Sequence, residues 1–129
     1  MKKLNFSKLG LMALVAVSAG CTRQVSFKHD IRPIFEERCM KCHAEGSPGC
    51  VASGFSVATY QTLMKGTRYG PVVVPGSSLD SNLLRLVKHE ADPSIAMPRS
   101  VTPGLPSEWL KPEQITLIET WINQGARDN

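Results

Sequence analysis

The sequence predicts a small all-α domain of about four short helices joined by long loops. Three observations carry this. Apolar residues recur three and four apart in four segments, the spacing of one helix face. No segment alternates cleanly between apolar and polar residues as a half-buried strand would. Ten Gly and nine Pro divide the chain into short pieces, and 129 residues give room for one ordinary domain.

The first 20 residues stand apart from that domain. Met1-Lys2-Lys3 and Lys8 form a positive start, Leu9 to Ala19 is uncharged and apolar, and small residues follow at Ser18-Ala19-Gly20. This is the layout of a secretory signal peptide, with an apolar run too short to span a bilayer. Ser18-Ala19-Gly20-Cys21 resembles the lipobox of bacterial lipoproteins, in which the Cys becomes a lipidated N-terminus. Ser18 stands where an aliphatic residue is usual, so ordinary cleavage after Ala19 stays open. The expected organisation is a signal peptide over 1–20, a lipidated tether over 21–24 and one domain over 25–129.

The domain's elements follow in order. A first helix is expected from about Ile31 to Cys39, with Asp30 as N-cap and Pro33 in the first turn, where a missing N–H costs little. A second runs from about Val57 to Lys65, with Ser56 as cap and Gly66 as stop. A third covers about Asp80 to Lys88 and places Leu83, Leu84 and Val87 on one face. The fourth opens at Pro112, has Glu113 at the positive end of its dipole, and carries Ile115, Ile118, Trp121 and Ile122 as a buried stripe before Gly125. Residues 44–55, 66–78 and 91–110 are expected as loops. The last contains Pro93, Pro98, Pro103 and Pro106, and a loop of that length in a small domain normally has a functional reason.

Charge excludes one class of partner. The chain carries 15 basic and 11 acidic residues. Lys2, Lys3 and Lys8 leave with the signal, which reduces the net charge to +1. No Lys/Arg cluster remains to make a nucleic-acid footprint.

The chemistry is concentrated in Cys39-Met40-Lys41-Cys42-His43. Cys-x-x-Cys-His reads as a c-type haem attachment site. Two thiols three residues apart on one turn can each add to a vinyl group along one haem edge, and the following His ligates the iron. Cys39 and Cys42 are then the thioether residues and His43 the proximal ligand. Competing readings are weaker. Zinc would need further ligands, and only the scattered Cys50, His29 and His89 remain. A thioredoxin-like pair lacks its strand, and a disulfide across two residues is strained. For the second axial position Met97, in Ala96-Met97-Pro98, is the leading candidate, because a thioether there favours ferrous iron. His89 is its rival, His29 a weaker one, and an open iron a further alternative. Met64 is placed for core packing. Cys50 has no assigned partner: it pairs with Cys21 only if Cys21 is not lipidated.

These residues resemble a class I c-type cytochrome, in the variety called Planctomycete-type cytochrome c. The resemblance runs from Phe27-Lys28-His29-Asp30-Ile31-Arg32-Pro33-Ile34 into Cys39 to His43. It continues through Thr59-Tyr60, Leu63 and Gly66, then Val74-Pro75-Gly76-Ser77, Ser81 and Leu83-Leu84. Met97-Pro98 and Trp121-Ile122-Asn123-Gln124-Gly125-Ala126 complete it. The resemblance implies a small cytochrome c-like fold around one covalent haem c, with Met97 as distal ligand. Pro75-Gly76 would close a turn near the haem, and Trp121 would pack the last helix on the first. Lys111 departs from the Ser or Thr that often caps that helix in the family.

The function expected is electron transfer by Fe(II)/Fe(III) cycling, in an exported, periplasmic protein held to a membrane by its lipid, with the outer membrane favoured. Redox proteins are the expected partners, and no small-molecule substrate is expected, since no acid, base and nucleophile are grouped at a second site. A haem-based sensor with open or bis-His iron, or a haem subunit of a larger oxidoreductase, are the alternatives.

Overall fold

A computed structural model describes residues 23–100 and 109–129. The expected signal peptide, Cys21, Pro103 and Pro106 lie outside the described residues. Those described form a π-helical turn (Phe27–Ile31) and six α-helices: α1 (Arg32–Arg38), α2 (Met40–His43), α3 (Pro48–Ser53), α4 (Tyr60–Lys65), α5 (Asn82–Val87) and α6 (Pro112–Asn123). Among them there is no strand, only isolated bridges Thr67–Gly70 and Val74–Ser77. The all-α class is as expected, with more and shorter helices.

The first helical segment begins earlier than Ile31 because Ser26, not Asp30, caps it. Ser26 Oγ accepts from His29 N at 3.2 Å, and Asp30 Oδ2 accepts from Ser26 N at 2.8 Å. This reciprocal pair spans one residue more than an ordinary capping box, and Ile31 N correspondingly reaches back to Ser26 O at 3.2 Å. The Asp30 carboxyl is held below its ordinary range by the Ser26 amide first and by Arg23 second; Arg23 pairs with it at 2.8 Å.

The second expected helix also starts later, at Tyr60. Thr59 and Thr62 form its capping box, each hydroxyl accepting from the other's amide at 3.1 Å. Val57 stays outside it because Thr59, in extended backbone, is the cap; the Val57 amide donates to His43 O at 2.9 Å. Ser56, expected as the cap, instead accepts from Ala58 N. The α5 helix is shorter at both ends than Asp80–Lys88, yet Leu83, Leu84 and Val87 are all buried as its spacing required. At α6 the missing Ser/Thr cap is offset in part by Gln114, whose Oε1 accepts from Lys111 N at 3.0 Å.

The segment 44–55, expected as loop, contains α3. Ser47 precedes it in extended backbone, Pro48 opens it, and Gly54 ends it at φ 78°, a left-handed conformation that suits glycine.

The core lies between the opening turn, α4, α5 and α6. Trp121, Ile118 and Ile122 of α6 are fully buried with Ile31 and Leu63. Trp121 meets Phe27 at a ring distance of 5.5 Å, so the last helix does pack on the first helical segment. Its Nε1 donates to Arg127 O at 2.9 Å, which satisfies the one polar atom of the ring. Pro75-Gly76 does close a turn, Ser77 N donating to Val74 O at 3.0 Å, and Gly76 N ties it to Ile122 O of α6 at 2.8 Å.

A clasp joins the two ends of the fold. Gln124 Oε1 accepts from Val25 N at 2.7 Å and its Nε2 donates to Arg23 O at 3.0 Å. Asn129 Oδ1 accepts from Phe27 N at 2.8 Å, and its backbone carbonyl accepts from Lys28 N at 2.9 Å. Arg23, read from sequence as tether, is thus bonded to the body of the domain.

Candidate functional site

The attachment turn is short, helical and locally determined. Cys42 N and His43 N both donate to Cys39 O, at 3.1 and 2.9 Å, so residues 39, 42 and 43 share one turn. Cys39 is the joint between α1 and α2, with φ −122°. Burial pushes its thiol up to about 12, with Cys42 adding to the rise and Arg38 opposing it. The group is therefore held as a neutral thiol at physiological pH.

His43 is fixed from outside that turn. Its Nδ1 lies 3.1 Å from Phe55 O. A carbonyl only accepts, so Nδ1 carries the proton and Nε2 presents its lone pair, the form a metal needs. Phe55 also sets the ring edge-on, at 5.2 Å between centroids. The backbone carbonyl of His43 is taken by Val57 N. Beneath the turn, Gly49 admits a close approach of backbones: a Cβ there would meet Cys42 O at 2.5 Å and His43 Cε1 at 3.1 Å. Ser47 Oγ donates to Ala44 O at 2.7 Å and also to Cys42 O, closing the end of the turn.

Two thiols on one turn with an oriented imidazole whose Nε2 is available fit covalent haem. They do not fit zinc: no group of three His, Cys, Asp or Glu able to hold a metal ion occurs among the described residues. Cys50 is a free thiol on α3, half-buried. Its pairing with Cys21 lies outside the described residues.

The candidate distal residues are brought together at the end of α5. His89 N and Met97 N both donate to Leu86 O, at 3.2 and 3.1 Å. One carbonyl thus anchors both candidates. Met40 and Met64, also half-buried, pack against the hydrophobic core. Met97 does not belong to that group; its neighbour Ala96 is buried and its peptide bond to Pro98 is cis. His89 has a left-handed backbone, φ 57°, and its ring stacks on Trp109 at 3.9 Å. Its Nε2 is buried with no hydrogen-bond partner among the described residues. His29 is exposed on the opening turn.

Sequence reasoning missed Phe55 O, Gly49, Leu86 O and Trp109. Two of these act through backbone carbonyls, which every residue has. Gly49 lacks a distinguishing motif, and Trp109 lies twenty residues from the His it covers. The one available signal was Ser47-Pro48 with Gly54, the start and stop of α3.

Comparison with known proteins agrees with a haem c protein. The family model described as Planctomycete cytochrome C matches residues 39–100. No curated protein matches the chain. Among solved structures, the chain is similar to Kuenenia stuttgartiensis hydrazine synthase, with a TM-score of 0.52 and 23% identity. That alignment covers 81% of this chain and only 16% of the other, and at this identity it speaks for the fold. The matched segment begins at the first thiol of the attachment turn and ends just beyond Met97-Pro98. Over that segment the chain matches the Planctomycete cytochrome c family, whose cofactor is covalently bound haem c.

Proposed function

We propose that this protein is an electron carrier, in which Cys39 and Cys42 bind haem through thioethers and His43 and Met97 are its axial ligands. The observation that carries the reading is the bond from His43 Nδ1 to Phe55 O at 3.1 Å. It fixes the tautomer and leaves the Nε2 lone pair for a metal. Bound haem supplies one-electron cycling of its iron. The chain's part is to orient the imidazole, to keep water from one side of the turn with Phe55, and to present Met97 from a limb tied to α5. A thioether ligand favours the ferrous state and raises the potential. The carrier needs no substrate pocket and works by bringing a haem edge near redox partner proteins. Export by the leader and a lipid on Cys21 would hold it at a membrane surface, on the periplasmic side.

Mass and visible spectra of protein matured with a cytochrome c assembly system test this together. One haem mass, a low-spin spectrum and the weak near-infrared band of Met–Fe(III) are expected. Absence of covalent haem sinks the proposal, and rapid CO binding by the untouched ferrous protein favours a sensor instead. A second reading, a haem module of a larger oxidoreductase, is supported by the partial overlap with the hydrazine synthase chain. Stoichiometric companions on purification from the native membrane would favour it over a free carrier.

A further inference from the structure

Ligation by Met97 leaves one group beside it without a role. A cavity of about 440 Å³ is lined by His89, Ala96, Pro98, Arg99, Ser100 and Trp109, among others. Ala96 and Pro98 flank Met97 in the chain, so the cavity lies along the limb that presents the thioether. His89 is one of its lining residues, and its Nε2 is buried with no partner among the described residues. A buried polar atom left unpaired is costly, and such atoms are rarely without a reason.

The strain at His89 points the same way. Glu90 N donates to Arg85 O at 3.0 Å and His89 N to Leu86 O at 3.2 Å, the two bonds of a Schellman ending. His89 occupies the left-handed position of that motif, where glycine is usual. A non-glycine residue in that region is an outlier that the surroundings must hold in place. The Trp109 stack, with rings 21° from parallel, does so. An imidazole is held in a strained turn, clamped on one face, with a nitrogen pointing at nothing.

Among the described residues that line it are Arg99 and the Ser100 hydroxyl, and no acidic side chain. Its chemistry is that of donors, which suits a carboxylate. We propose that this cavity receives a propionate carboxylate of the bound haem, and that His89 Nε2–H donates a hydrogen bond to it. The inference rests on Met97 as distal ligand, because the shared Leu86 anchor holds the His89 and Met97 backbones side by side. His89 is in this arrangement a residue that touches the cofactor without ligating iron. A donor there offsets propionate charge near the iron and raises the potential.

The test uses the full haem-loaded chain as wild type, His89→Ala, His89→Gln and Met97→Ala. Resonance Raman reads the propionate bending modes, equilibrium titration reads the midpoint potential, and the near-infrared band reads Met ligation. His89→Ala should shift a propionate mode, lower the potential and keep the band. His89→Gln, whose amide still donates, should restore part of both. Met97→Ala should lose the band. An unchanged propionate mode and potential in His89→Ala overturns the inference while leaving Met97 ligation standing. A potential that responds to added acetate in wild type but not in His89→Ala also overturns it, by assigning the cavity to a free carboxylate. Loss of low-spin character in His89→Ala, with Met97→Ala unaltered, makes His89 the ligand and overturns both readings.

Discussion

The attachment turn and the Met97 limb are built in opposite ways. From Cys39 to His43 the backbone is an α-helical turn, with His43 pinned at Nδ1 by Phe55 and at its carbonyl by Val57. The limb from His89 to Ser100 carries no helix and is tied to α5 by the amides of His89 and Met97 on Leu86 O and of Glu90 on Arg85 O. On one side the imidazole is oriented by a bond at Nδ1; on the other a buried imidazole nitrogen has no partner among the described residues. The contrast teaches that the Cys39–His43 turn is held by contacts within the protein, whereas the limb of His89 and Met97 keeps a group those contacts do not use.

The comparison can be broken most severely by exchanging ligands. His43→Ala should abolish the native low-spin spectrum in both oxidation states. Met97→Ala should keep the covalent haem, lose the near-infrared band and the low-spin state together, and gain CO binding; failure of Met97→Ala to take up covalent haem would erase the distinction. Next in size is the reactivity of the haem-free thiol. With Cys39 raised to about 12, its alkylation by iodoacetamide at pH 8 should lag the unfolded chain by orders of magnitude. Peptide mapping of a time course reads this, and equal rates would contradict a preformed turn.

Gly49→Ala tests the tight seat under that turn. A Cβ would crowd Cys42 O, and such overpacking costs about 1–3 kcal/mol, read by chemical denaturation. On the limb, Trp109→Ala removes the stack on His89 and should cost about 0.5–1.5 kcal/mol, less than Gly49→Ala. The smallest effect lies outside both regions. Asp30 has a lowered folded pKa, so its contribution is present above the ordinary carboxylate value and fades as pH falls through the folded one. Asp30→Asn should therefore be less stable than wild type by about 0.2–1 kcal/mol near pH 6, the gap closing in acid.

The same contrast governs what the sequence made legible. The motif at Cys39 to His43 is spelled in side chains, and the stripe of α6 is spelled in periodicity; both could be read directly. Helix ends were read less well, because the caps depended on choices between nearby hydroxyls: Ser26 over Asp30, and Thr59 over Ser56. That the Val57 amide would reach His43 O, fourteen residues earlier, depended on contacts between segments. α3 was overlooked since six residues give too little periodicity to count. At the limb, Met97 and His89 were both singled out as candidates. That one carbonyl would gather them, and that Trp109 would cover one, depends on contacts between segments.

The clasp between residues 23–28 and 124–129 has a mechanical consequence. Arg23 O is held by Gln124 and its guanidinium by Asp30, so if Cys21 carries a lipid, Thr22 alone separates the anchor from the folded body. One residue spans at most about 3.6 Å. Such a protein is moored rather than tethered: it can tilt and slide in the plane of the membrane, but it cannot swing out to meet a distant partner. Electrons would then pass only to proteins that come to the same surface, and lengthening the chain between Cys21 and Arg23 would widen the choice.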